Sequence, residues 1–140
     1  MAISKVRGTC ICSACRSFPN HPIDSIHFHK DSTLAMLLAA QQRGWSLHYM
    51  EQDDLYLEDN RCMGHMSGLT VRHDEQDWFS LSGRASRPLA DLDVILMRKD
   101  PPFDMEYVTT AYLLAAAERR GTLVVNGSAS LVTNNEKVAA

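Results

Sequence analysis

Apolar and polar positions along this chain switch between two periods, and the switches outline its elements. Asp31 or Ser32 is a good N-cap, Leu34, Leu37 and Leu38 follow at helical spacing, and Gly44 stands where a helix ends most cheaply. From Trp45 to Met50, Leu47 and Tyr49 alternate with Ser46 and His48, the two-residue period of a strand. Asp54 to Arg72 reads as a hairpin or irregular β excursion turning near Asp59-Asn60, with Trp78, Phe79 and Leu81 packing against it and Gly83 to Arg87 as a polar loop. Val94-Ile-Leu-Met97 is a continuous apolar run, the pattern of a strand covered on both faces. Beyond it, Met105, Val108, Tyr112 and Ala115 mark one helix face, Gly121 closes that helix, and Thr122 to Val125 is the next buried strand. Strands alternating with helices of this length predict an α/β fold, a mainly parallel sheet flanked by helices with a β-hairpin excursion.

The first 21 residues follow neither period. They carry Cys10, Cys12, Cys15, Pro19 and His21, and the short stretch from Ile23 to His29 alternates only imperfectly. An extended segment there is the most that the pattern supports.

Composition narrows the class. The chain has 140 residues, 45% of them apolar and 22% charged, the balance of a water-soluble globular domain. No apolar run approaches the ~20 residues that span a bilayer, and the start lacks the apolar core of a secretory signal, so a cytoplasmic protein without a membrane partner is expected. A net charge of −3 with no basic stripe gives nucleic acid no purchase. No glycine-rich P-loop and no Gly-x-Ser-x-Gly occurs.

Candidate chemistry concentrates at two places. Arg98-Lys99-Asp100 leaves a buried strand and runs into Pro101-Pro102, whose fixed φ stiffens the loop. Ligands of open α/β sheets sit at such carboxyl ends. The planar fork of Arg98 suits a carboxylate, against the plainer reading of an ion pair with Asp100 or Asp104; Asp100 reads as a loop-shaping acceptor, and Lys99 alternates to the opposite side. Lys30-Asp31-Ser32-Thr33 opens a helix, where exposed N–H groups favour an anion if capping does not use them all. A different class is raised by Cys10, Cys12 and Cys15 with His21, His27 and His29, a donor set able to hold zinc but without paired Cys-x2-Cys knuckles. Trp45, Trp78, Met36, Met50 and Met97 read as packing residues, and His65 and His73, in or beside the irregular excursion, read as structural.

The run Pro88-Leu-Ala-Asp-Leu-Asp-Val-Ile-Leu-Met-Arg-Lys-Asp-Pro-Pro-Phe-Asp104 resembles the amino-terminal domain of bacterial glutathione synthetase, of the ATP-grasp ligase superfamily. Lys30 to Gly44, Leu47 to Glu51, Asp54-Leu-Tyr56, Gly121 to Asn126, Ser130-Leu131 and Asn135-Glu-Lys137 carry the same likeness. The resemblance implies a Rossmann-like, pre-ATP-grasp domain over residues 22–137, with 1–21 an atypical, loosely ordered start and 138–140 the beginning of the ATP-grasp part. It further implies ligation of γ-glutamylcysteine to glycine with ATP and Mg²⁺ through an acyl phosphate, and homo-oligomers. The peptide would be met by Arg98, Lys30, Asp31, Ser32 and Asp100, and ATP by Lys137.

Two departures from that family stand out. Its first strand, of the type Gly-Ile-Val-Met-Asp-Pro, has no counterpart before Pro22, and Ile23 to Phe28 is the only stand-in that the pattern offers. The ATP-grasp part is missing from these 140 residues, so the chain alone is expected to bind neither ATP nor Mg²⁺ tightly and not to make glutathione. A non-catalytic interaction module that exposes the surface meant for that part is the remaining alternative.

Overall fold

A computed structural model describes residues 9–13, 32–98 and 105–133. The elements are β1 (Thr9–Ser13), α1 (Ser32–Gln42), β2 (Leu47–Met50), β3 (Leu55–Glu58), β4 (Arg61–Val71), β5 (Phe79–Pro88), β6 (Val94–Arg98), α2 (Met105–Glu118), β7 (Leu123–Val125) and α3 (Ser128–Thr133). The seven strands form one sheet in the order β3-β4-β2-β1-β6-β7, with β5 also paired to β4. The fold is α/β. The sheet is mixed, however, where a mainly parallel one is expected: β2-β1-β6-β7 is parallel, while β4 pairs antiparallel with β2, β3 and β5. The hairpin excursion has become half of the sheet because β4 is eleven residues long and continues past β2 into its own hairpins.

The first strand corrects the expectation for the start of the chain. Thr9–Ser13 lies between β2 and β6 and pairs in parallel with both, Cys10 opposite His48 on one side and Ile95 on the other. The central position expected for Ile23–Phe28 is thus taken by Thr-Cys-Ile-Cys-Ser, and residues 23–28 lie outside the described residues. Cysteine behaves as a small hydrophobe, so Cys-Ile-Cys is an apolar run once its thiols are counted that way.

Both long helices end as the glycines predict. Gly44, at φ 76°, donates to the Gln41 carbonyl while Trp45 donates to that of Ala40; Gly121, at φ 104°, repeats the arrangement with Glu118 and Ala117. These are paired Schellman bonds, which satisfy otherwise orphaned carbonyls. The Asp59-Asn60 turn is also in place, both residues at positive φ as a tight two-residue hairpin requires.

Each face of the sheet has its own core. On one, α1 buries Leu34, Leu37 and Ala40 against Leu47, Tyr49, Leu69, Val71 and Trp78. On the other, Leu114 and Ala117 of α2 pack with Met50, Leu55, Cys62, Met66, Leu89, Ile95, Met97 and Val124. The buried stripe of α2 is Thr110, Ala111, Leu114 and Ala117, whereas Met105 and Tyr112 of the expected face are 75% and 68% exposed. An almost uniformly apolar helix offers several stripes, and only the sheet chooses among them. Thr122 to Val125 is likewise buried on one side only: Val124 is inside, while Leu123 and Val125 face the α1 side, whose core includes no residue of β7, and are exposed.

The expected Gly83–Arg87 loop is strand. It belongs to β5, where the register slips by one residue: Gly68 faces Ser82 but Ser67 faces Arg84, leaving Gly83 as the extra residue of a bulge at φ 45°. Residues Ser82 to Arg87 are exposed, so no apolar alternation announces the strand.

Candidate functional site

The parallel strands β1, β2 and β6 end on the same edge of the sheet, at Ser13, Met50 and Arg98, and Ser13 is in register with Arg98. Helix α1 connects two parallel neighbours, β1 and β2, and must therefore run back antiparallel to them. Its first residue, Ser32, consequently starts at that carboxyl edge. Among the sequence-predicted site residues, the structure places Arg98 and Ser32 there; Lys30, Asp31, Asp100 and Lys137, together with Lys99 and Asp104, lie outside the described residues. Ser32 is exposed, and Thr33 and Leu34 beside it are buried, so the start of the helix is held firmly against the sheet.

The chain leaving β2 builds the next part of the edge. Glu51 and Asp54 cap a single turn reciprocally, the Glu51 N–H donating to Asp54 Oδ2 at 2.9 Å. The Tyr49 hydroxyl donates to Glu51 Oε1 at 3.1 Å, and Gln52 Nε2 donates to Thr110 Oγ1 on α2 at 2.8 Å. Asp54 is therefore fixed, and its other oxygen accepts from the Arg84 guanidinium of β5.

Beyond the end of β2, β4 continues with β3 and β5 on its flanks, and this three-stranded array projects past the carboxyl edge. On the face shared with α1, the Tyr56 ring stacks on His65 at a centroid distance of 5.0 Å and 29° between planes, and its hydroxyl hydrogen-bonds to Ser86. In sequence, His65 has no evident partner, and Arg84 and Ser86 fall in the expected polar loop. No local signal joins residues from three strands; only the turn at Asp59-Asn60 and the glycine at 83 hint at the pairing.

The opposite face is quieter. His48 is partly buried there, and desolvation together with the Arg87 charge holds its imidazole below the ordinary 6.5. Burial pushes the Cys62 thiol up to about 11, so this cysteine is inert packing and not a nucleophile. A groove of about 280 Å³ lies between the hairpin tip and α2, lined by Leu57, Asn60, Tyr112, Arg119 and Arg120 among others. Arg120 closes it by donating to the Asn60 carbonyl at 3.1 Å.

Among the described residues, no group of three or more His, Cys, Asp or Glu side chains could hold a metal ion. Cys10 and Cys12 belong to β1, and Cys15, His21, His27 and His29 lie outside the described residues, so the zinc reading gains nothing. No helix among the described residues is long and apolar enough to cross a membrane.

Comparison with known proteins gives a consistent answer. Residues 17–131 match the family described as prokaryotic glutathione synthetase, N-terminal domain. Glutathione synthetase of Pseudomonas aeruginosa is 58% identical over 119 residues, 85% of this chain and 38% of that protein. Those of Escherichia coli K12 and Yersinia pestis are 53% and 52% identical over 117 residues, 84% of this chain and 37% of each. The chain therefore spans less than two-fifths of the length of these relatives, and β1 precedes the first residue of the family match.

Proposed function

The chain belongs to the prokaryotic glutathione synthetase N-terminal domain family, and from that membership we propose that it forms the peptide side of an ATP-dependent carbon–nitrogen ligase. In this reading the substrates are γ-glutamylcysteine and glycine, and the domain is of the Rossmann-like, pre-ATP-grasp kind. The observation that carries the proposal is the family match over 17–131, which includes the strand that ends at Arg98.

The chemistry sets the roles. Joining a carboxylate to an amine requires the carboxylate oxygen to leave, and phosphorylation by ATP makes it leave as phosphate. A cation opposite the carboxylate lowers its charge before transfer and holds it in line. Arg98, with Lys30, Ser32 and the first amides of α1, would grip the peptide, while Asp31 and Asp100 would shape and orient those cations. Lys137 would reach ATP. Mg²⁺ and ATP would screen and activate the reacting carboxylate in the whole enzyme. In this reading these 140 residues alone would bind the peptide without ligating it. A cytoplasmic homo-oligomer is the assembly that fits the reading.

The test is a thermal melt of the 140-residue chain with and without millimolar γ-glutamylcysteine. A ligand that binds only the folded state raises the midpoint, by an amount set by RT ln(1 + [L]/Kd). A rise in the wild type that Arg98→Ala abolishes supports the proposal; an unchanged midpoint in the wild type refutes it.

A further inference from the structure

The array β3-β4-β5 carries a polar shelf that the peptide-side reading does not yet use. Strand pairing fixes which side chains share its face. Tyr56 pairs with Met63, His65 with Ser86, and Ser67 with Arg84, and Ser67 in turn faces Tyr49 of β2. Leu69 and Val71, further along β4 on that same face, are covered by α1. Past Ser67 the face is open: His65, Arg84 and Ser86 are exposed, and Tyr56 is half-buried.

Two features show a built surface. The first is the bulge. Were Gly83 paired in the ladder like its neighbours, the register of Ser82 with Gly68 would continue, placing Arg84 opposite Met66 and Ser86 opposite Gly64. Met66 and Gly64 belong to the other face, where Met50, Leu55 and Leu89 pack. A one-residue slip turns every later side chain over. The bulge therefore brings Arg84 and Ser86 round to the face of Tyr56 and His65. The second is preorganisation. Arg84 remains 65% exposed, yet it is anchored through Asp54, which is only 13% exposed and tied to the Glu51 N–H. The phenol of Tyr56 is anchored at both ends, by the His65 ring and by Ser86.

Resting on the proposed function, we infer that this shelf is the subsite for the non-reacting end of the acidic peptide. Arg84 takes the glutamyl α-carboxylate, and the hydroxyls of Tyr56 and Ser86 bond to the same group. The planar guanidinium can hold Asp54 along one edge and present another to the ligand. Asp54 offsets part of the positive charge, so its contribution is to fix geometry. The location suits the chemistry: the shelf borders the carboxyl edge on the β2 side, leaving the β6 side, with Arg98, to the cysteinyl carboxylate that reacts.

The test compares two probes on the intact 140-residue chain. One is γ-glutamylcysteine; the other is 4-aminobutyrylcysteine, which lacks only the glutamyl α-carboxylate. Binding is followed through backbone amide NMR shifts, whose dispersion also reports that each variant is folded. The wild type should bind γ-glutamylcysteine about tenfold more tightly than the truncated probe, with shifts at Tyr56, Arg84 and Ser86. Arg84→Ala should remove that difference by weakening only the first probe. Arg84→Lys, a charge without the fork, should restore part of it, and Tyr56→Phe should lose a smaller share. If both probes bind the wild type and Arg84→Ala alike, with shifts confined to Arg98 and Ser32, the shelf is overturned and the peptide-side reading stands. If neither probe binds, both fall.

Discussion

Gln41 offers the sharpest test of how this sheet is terminated. Its side-chain amide mimics one more residue of strand: Nε2 donates to the Val71 carbonyl at 2.7 Å, and Oε1 accepts from the Val71 N–H at 2.9 Å. Strand β2 begins only at Leu47, opposite Leu69, so it has no residue to pair with Val71. Val71 is 1% exposed, and its backbone groups on that side would otherwise lack partners. Gln41→Ala removes both bonds at once. Two neutral hydrogen bonds of about 0.5–1.5 kcal/mol each give a loss of about 1–3 kcal/mol, the upper part applying if water cannot reach Val71. With a urea m-value of about 1.5–2 kcal/mol per molar, that moves the midpoint down by roughly 0.5–2 M. Gln41→Glu supplies a second arm. A carboxylate keeps the acceptor but sets a negative oxygen against the Val71 carbonyl, so at neutral pH it should be at least as damaging as alanine. By pH 4 the acid is largely protonated and can donate again, so the gap to wild type should narrow. Urea titrations of the three proteins at pH 7 and pH 4 decide the matter. A midpoint for Gln41→Ala within 0.2 M of wild type at unchanged m, roughly 0.3–0.4 kcal/mol, would refute the reasoning.

The buried titrating groups give two more expectations. His48 has a folded pKa held below 6.5 by burial and by Arg87, so the unfolded chain binds its proton more readily; stability should be intact above pH 6.5 and decline as pH falls below it, and His48→Gln should flatten that part of a stability–pH curve. Cys62, with its thiol raised to about 11, should stay unmodified by iodoacetamide at pH 8 in the folded protein and react at the ordinary rate in urea, as read by peptide mass mapping at that residue.

Features that depend on short stretches are legible in the order of amino acids alone. Gly44 and Gly121 close their helices because a residue after the last turn must enter left-handed space, and that demand is local. Asp59-Asn60 turns the hairpin for the same reason, and Leu47 and Tyr49 alternate into the α1-side core while Met50 enters the other. The run that ends at Arg98 reads as a strand, and it is one.

Elements whose periods and end signals lie within a dozen residues thus follow from the amino-acid order alone, as does a family likeness, matched over residues 17–131. The tertiary structure decided three things that no window of that size contains. It recruited Thr9–Ser13 as the central strand, because the slot between β2 and β6 needs paired backbone more than it needs a strongly apolar sequence. It chose the Thr110–Leu114 stripe of α2 over the Met105–Tyr112 one, because an apolar helix takes its inner face from what it packs on. It set Arg84 and Ser86 beside Tyr56 and His65 through a single bulged residue, Gly83. Pairing between distant strands has a two-residue period of its own, and one slip in it reverses which side chains meet.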